Sequence, residues 1–361
     1  MTDHPAVIYP PLVGHAMIVP EGIEVTVSRA HRAEVSGDDA APVRVLFIGG
    51  WGRSGSTLVE RLLAEMPDVV GAGEVTHLWR RALADNQPCA CGAAFDACPF
   101  WISVGKAAFD GWDNVDADDV LALARRVDRT RYVPRLALPT RLTRRREDLL
   151  RYGELYRRIY AGIAEVTGAR VIVDSGKHAS QAFALRHHPG IDLRVLHLVR
   201  DGRGVVYSWS KESSYGSPDG TKSSDSYMPQ YSPLTSSALW TAHNALFDLL
   251  AATGARRLRL RYERFVADPA GHLATVRAWL GLPPDRPDFI RQDGDVTVAE
   301  LGPIHSVAGN PMRFQSGAVR LRVDAAWRTA MPAGRRRLVT ILTWPGRARH
   351  GYLDRPSRSR T

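Results

Sequence analysis

Gly50, Gly52, Arg53, Ser54, Gly55, Ser56 and Thr57 stand together in IGGWGRSGSTLVERLL, residues 48–63. Gly50, four residues, Gly55 and a Ser-Thr pair have the frame of a nucleoside-triphosphate loop. That loop needs a Lys before the Ser/Thr to reach the β- and γ-phosphates. Ser56 holds the position here, and Arg53 stands inside the turn. Amides of a Gly-rich turn that feeds a helix still make an anion cradle. Gly52 and Gly55 admit close approach, Ser54, Ser56 and Thr57 add hydroxyls, and Arg53 adds a guanidinium fork suited to oxyanions. The pattern fits an anion that lacks a terminal γ-phosphate.

Two further runs end in chemistry. LHLVRDGRGVVYSWSKE (196–212) closes an apolar stretch on Arg200 and places Ser208 eight residues on. Arg200 and Ser208 near one sheet edge would grip a phosphate monoester; an Arg–Asp surface turn is the bland alternative. VIVDSGKHASQAF (171–183) closes on Asp-Ser-Gly-Lys, so Lys177 stands at an edge in a chain with only four lysines. A fixed cation there would stabilise developing negative charge. Asp174 is either an orienter of Lys177 or a helix cap.

The elements that position these residues follow from the apolar pattern. A continuous apolar run predicts a buried strand at 43–50, and 169–176, 192–201 and 256–263 are three more strand candidates. Helical spacing predicts helices at 56–66, 147–168, 178–188, 202–212 and 236–254. The alternation argues for an α/β fold, P-loop-like, with three α/β/α layers and a central parallel sheet flanked by helices that binds ligands at the strand C-termini. Residues 1–42 read as an N-terminal extension and linker, 43–345 as one domain, and 346–361 as a basic, frayed tail. An insertion occupies about 85–150, Arg-rich over 125–146, and 214–233 reads as a lid-like loop.

With both phosphate-binding features in hand, the chain resembles the sulfotransferases that use 3'-phosphoadenosine 5'-phosphosulfate, PAPS. GRSGSTL is similar to their 5'-phosphosulfate loop and LVRDGRGVVYS to their 3'-phosphate motif, in the same order. The resemblance covers roughly 43–345 and lies nearest to bacterial members related to the protein-tyrosine sulfotransferase branch. It implies sulfuryl transfer from PAPS to an acceptor hydroxyl in one in-line displacement, release of 3',5'-ADP, and no required metal. It implies Glu74, in a Gly-Glu context, as general base; a helix-start Glu paired with Arg80 or Arg81 is the alternative. His77 and His178 are rival bases, and the catalytic His of the cytosolic enzymes has no clear counterpart here. Lys177 and Arg53 would act on the transferring group. Arg200, Ser208, Tyr262, Ser306, Gly309, Asn310 and Arg313 would join the loop in binding the nucleotide, the last four from a run similar to a C-terminal loop of bacterial members.

Composition bounds the rest. The 361 residues are 44% hydrophobic and carry a net charge of +10, mostly from Arg spread along the chain. That balance suits an anionic ligand, and no nucleic-acid motif accompanies it. The N-terminus lacks the basic region of a signal peptide, and no run approaches the roughly 20 apolar residues of a membrane span, so a cytoplasmic enzyme is expected. Its acceptor is expected to be a small molecule or carbohydrate, lined by 85–101, 125–146 and 214–233. Acceptor identity and oligomeric state are open. Cys89, Cys91 and Cys98 read as a reduced or partly disulfide-linked knot. A closed zinc site needs a fourth ligand, His77 or another residue, and no metal site is expected. A Mg·ATP-dependent kinase and a non-catalytic nucleotide-binding protein are the rival functions.

Overall fold

The computed structural model describes residues 24–26, 41–139, 145–211 and 229–353. Most of the N-terminal extension, the middle of the Arg-rich insertion, most of the lid-like loop and the end of the tail lie outside the described residues.

Strands β1 (Glu24–Thr26) and β2 (Val43–Gly49) lead into helix α1 (Ser56–Ala64), then β3 (Val69–Gly73). The insertion holds α2 (Pro99–Phe109), α3 (Ala117–Val127), α4 (Val133–Leu136) and α5 (Arg146–Thr167). Then come β4 (Val171–Lys177), α6 (Ala179–Leu185), β5 (Ile191–Val199), α7 (Gly202–Trp209) and α8 (Pro233–Ala252). Strand β6 (Arg256–Arg261) is followed by α9 (Tyr262–Ala267) and α10 (Pro269–Leu280), then β7 (Ile290–Asp293), β8 (Val296–Leu301) and β9 (Gly317–Leu321). The chain closes with α11 (Trp327–Ala330), α12 (Ala333–Leu342) and α13 (Trp344–Arg349).

The main sheet has the order β1-β6-β5-β2-β4-β3. Its last five strands run parallel, and β1 pairs antiparallel with β6 at the edge. Successive strand side chains face opposite sides, and β2 shows the result. Val45 and Phe47 join one apolar core with α5 and α6, whereas Leu46 and Ile48 join a second with α1 and α10. The three α/β/α layers expected from sequence are therefore present. Strand β2 is apolar on both faces because both are covered.

Among the elements the sequence did not foresee are β1, β3, the helices α2–α4 and α9–α13, and a second sheet. Strand β3 was hidden behind its two glycines. The separate antiparallel sheet β7-β8-β9 occupies a stretch for which no strand was expected. The expected tail starts inside α13, and Arg347, His350 and Tyr352 beyond it are buried, with the Tyr352 hydroxyl donating to Val199 O at 2.9 Å. Among the described residues no helix is long and apolar enough to cross a membrane.

Candidate functional site

The five parallel strands deliver one chemical group each to the same edge. Past β2 comes the loop Gly50–Gly55, past β3 comes Glu74, β4 ends on Lys177, past β5 comes Arg200, and past β6 comes Tyr262. All of them line a single cavity of about 560 Å³. This is where a doubly wound sheet binds its ligands, in the crevice beyond the strand C-termini.

The loop turns sharply onto α1. Gly55, the residue before the helix, has φ 91° and offers no side-chain cap. A Cβ there would come within 2.5 Å of the Tyr262 ring, so only Gly fits. Ser56 and Thr57 line the cavity, while Ser54 is buried away from it. With no capping side chain, the first-turn amides of α1 are left to a ligand or to water. Arg53 takes a left-handed conformation, φ 70°, and its guanidinium lies 5.3 Å from the centre of the Trp209 ring.

Lys177 and Glu74 form an ion pair. Lys177 has φ 65°, a conformation that costs a non-Gly residue of order ~1 kcal/mol. Burial alone would raise the Glu74 carboxyl; the Lys177 ammonium and the neighbouring His77 outweigh it and hold it below the usual carboxylate range. His77 Nε2 lies 3.5 Å from the other Glu74 oxygen. Burial drives His77 down to about 3, so it is neutral at physiological pH. His178 and His243 are likewise shifted down by burial. Arg80 pairs with Asp85 rather than with Glu74.

Behind this pair stand two buried carboxylates. Glu60 accepts from the amide of Gly73 and from the Ser175 hydroxyl, each at 2.6 Å. Asp174 accepts from Gly176 N at 2.8 Å, Val75 N at 3.3 Å and Tyr160 Oη at 2.5 Å. Of the two roles open for Asp174, orienter of Lys177 or helix cap, its bonds form neither: it holds the backbone beside Lys177 and beside Glu74.

Arg200 is buried, and both terminal nitrogens of its guanidinium have protein partners. One nitrogen donates to Arg53 O at 3.0 Å, another to Asp324 O at 3.0 Å and Oδ2 at 2.9 Å. Its guanidinium also lies 4.9 Å from the Tyr262 ring centre. Ser208 lines the same cavity, one residue before Trp209, whose indole donates to Gly52 O at 3.1 Å.

The C-terminal run divides. Gly309 and Asn310 line the cavity, and a Cβ on Gly309 would lie 3.3 Å from the Glu74 carboxylate. Ser306 and Arg313 do not. Ser306 is buried with its carbonyl bonded to Ala90 N, and Arg313 reaches back to Pro88 O at 3.3 Å. Segment 85–101 and the described part of 125–146 also lie off the cavity wall; of 214–233, Pro229 and Tyr231 are on it.

Sequence reasoning missed the contribution of Arg81, Arg320, Arg322 and Asp324. Arg320, Arg322 and Asp324 alternate in VRLRVD, a strand signal that would have put all three on one face. Six Arg and Lys side chains and two carboxylates line the cavity among the described residues, making it electropositive. An aromatic wall completes it: Trp51 lies 5.6 Å from Trp209, 6.0 Å from Tyr231 and 4.5 Å from His243 between ring centres.

No protein-family model matches the chain, and no curated protein matches it. Among solved structures it is similar to the sulfotransferase domain of the Synechococcus PCC 7002 olefin synthase, at 19% identity over 89% of this chain and 98% of that one, with a TM-score of 0.46. It is also similar to the sulfotransferase domain of the curacin biosynthetic pathway, at 15% identity over 84% and 97%, with a TM-score of 0.42. A sulfotransferase from Alicyclobacillus acidocaldarius is 13% identical over 86% and 94%, with a TM-score of 0.38. At these values the likeness bears no weight on function.

Proposed function

We propose that the chain is a PAPS-dependent O-sulfotransferase. The observation that carries this reading is the convergence of Arg53, Glu74, Lys177, Arg200 and Ser208 on one cavity, in front of a phosphate-type loop that has no Lys before its Ser-Thr pair. A Mg·ATP site would need that Lys. A 5'-phosphosulfate needs amides, hydroxyls and fixed cations, and the loop, α1 and Arg53 offer them.

In this reading PAPS is a substrate, held at its 5'-end by the loop and at its 3'-phosphate by Arg200 and Ser208. The acceptor oxygen forms a bond to sulfur as the bond from sulfur to the bridging oxygen breaks. The acceptor proton passes to Glu74, and the electron pair stays on the departing 5'-phosphate of 3',5'-ADP, beside Lys177. Protein cations supply the positive charge. A carboxylate held below its usual range is a weak base, so the Glu74–Lys177 pair must open. A donor anion that draws Lys177 to itself leaves Glu74 buried, without its cation and more basic. The aromatic wall beside His178 and His243 supports an acceptor whose hydroxyl sits on an aromatic or sugar ring.

The test is calorimetry with 3',5'-ADP and with Mg·ATP. Micromolar binding of 3',5'-ADP without metal, lost in Arg200→Ala, supports the reading. Tight Mg·ATP binding with no response to 3',5'-ADP overturns it in favour of a kinase.

A further inference from the structure

Away from the cavity, four metal-ligating side chains meet. The sulfurs of Cys89, Cys91 and Cys98 and a ring nitrogen of His305 all lie within 4.8 Å of one another. Cys98 Sγ is 3.4 Å from His305 Nδ1, Cys89 Sγ is 3.8 Å from the same nitrogen, and Cys91 Sγ is 3.7 Å from Cys98 Sγ. A tetrahedral ion with sulfur at about 2.3 Å and nitrogen at about 2.0 Å has S–S edges of roughly 3.8 Å and S–N edges of roughly 3.5 Å. The Cys91–Cys98 and Cys98–His305 contacts match those edges, and Cys89–His305 is longer by about 0.3 Å. A disulfide would explain two sulfurs and leave the third thiol and the imidazole without a reason to converge.

We propose that Cys89, Cys91, Cys98 and His305 bind one structural zinc ion, through three thiolates and His305 Nδ1, with no open coordination position. The fourth ligand comes from His305; His77, the histidine named from sequence, lies instead against Glu74. Three thiolates and an imidazole select a soft or borderline ion over Mg²⁺ or Ca²⁺.

The surrounding chain holds the ligands in place. Gly92 N donates to Cys89 O and Cys89 N to Ala93 O, each at 2.9 Å, closing a tight turn around Cys91. Cys98 is the residue before α2, so the helix start fixes its backbone. The His305 ring stacks on Phe100, with centres 4.9 Å apart and planes at 12°, and Trp101 Nε1 donates to His305 O at 2.9 Å. Cys89 and Cys98 are fully buried.

The ion would do a definite job. It ties the segment 89–98 to His305, 207 residues beyond Cys98 in sequence. The next residues brace the candidate base: Ala90 N donates to Ser306 O at 3.0 Å, Val307 N to Ala72 O at 3.0 Å, and Glu74 N to Val307 O at 2.9 Å. The zinc therefore anchors the strap behind Glu74. This inference does not depend on the identity of the donor.

The test uses the full chain, purified under reducing conditions from zinc-supplemented medium. The expected result is one zinc per chain by mass spectrometry of the metal, released on titration with a mercurial thiol reagent. Replacement by Co²⁺ should give the visible bands of a tetrahedral centre and a near-ultraviolet thiolate charge-transfer band. Cys91 is exposed, so Cys91→Ser should fold yet lose most of the zinc; His305→Ala should do the same. A chelator should lower the melting temperature of the parent chain and leave that of Cys91→Ser unmoved. Parent chain without stoichiometric metal and without the tetrahedral Co²⁺ spectrum overturns the proposal. So does zinc retained at full stoichiometry in both variants.

Discussion

Glu60 and Asp174 flank the Glu74–Lys177 pair from behind, and each bonds to both strand ends that carry it. Glu60 joins the amide of Gly73, just before Glu74, to the hydroxyl of Ser175, two residues before Lys177. Asp174 joins the amide of Val75, just after Glu74, to that of Gly176, just before Lys177. The two carboxylates set the separation of β3 and β4 where the charges meet.

A pH dependence follows. Burial raises Glu60 and Asp174 to about 7 each, against partial relief from their hydrogen bonds. Between the usual carboxylate range and pH 7 the folded chain thus binds more protons than the unfolded one. Stability falls as pH rises through that window, by up to ~1.4 kcal/mol per pH unit for each group, and levels off above it. Glu74, held low, acts in the opposite sense at more acid pH. Melting curves from pH 5 to 8 should show the decline, and Glu60→Gln should flatten it. An unchanged slope in that variant would remove Glu60 as a source.

Glu74→Gln should cut kcat by on the order of a hundredfold, the typical scale for a general base. Donor binding should be kept or slightly tightened, because Lys177 loses its internal partner. The check is steady-state sulfuryl transfer together with the Kd of 3',5'-ADP. Wild-type turnover in Glu74→Gln removes Glu74 from the mechanism.

Arg200 and Asp324 should respond with opposite signs. Arg200→Ala should weaken 3',5'-ADP binding by roughly ten- to a hundredfold, the scale of a lost charge-assisted contact. Asp324→Asn should tighten it, since the carboxylate on Arg200 competes with an incoming phosphate. Calorimetry on both variants decides; equal weakening in the two would mean that Asp324 orients Arg200 rather than competes.

Gly55→Ala should damage the loop at its junction with α1. The added Cβ would lie 2.5 Å from the Tyr262 ring in a backbone at φ 91°. A loss of donor affinity exceeding that of Ser54→Ala, whose side chain is off the cavity wall, is the expected order. A Gly55→Ala chain with parental Kd would show that loop and Tyr262 move freely.

The sheet and the loop were legible because each has a local signal. Strand 43–50 is an apolar run broken only by Arg44, and the Gly-Ser pattern of the loop sits directly between strand and helix. Most residues named from motif spacing line the cavity, whereas Ser54, Ser306 and Arg313 do not. Partnerships across long distances were not. Nothing near Asp174 in sequence indicates Val75, 99 residues away, as the amide it would hold. His305 escaped for the same reason, since it stands alone in an irregular run far from the cysteines. Strand β3 escaped because Gly71 and Gly73 break its apolar pattern, and the second sheet because its alternation is weak and residues 302–316 separate β8 from β9.

The paired charges of Glu74 with Lys177 and of Asp324 with Arg200 make the cavity an ion exchanger rather than an open trap. An anion entering must trade places with a carboxylate already seated. A lone inorganic phosphate or sulfate can displace one such tenant but not both. Only a molecule carrying anionic groups at two ends recovers both exchanges at once. On the proposed reading, the two seated carboxylates would disfavour small anions and favour a ligand that reaches both pairs.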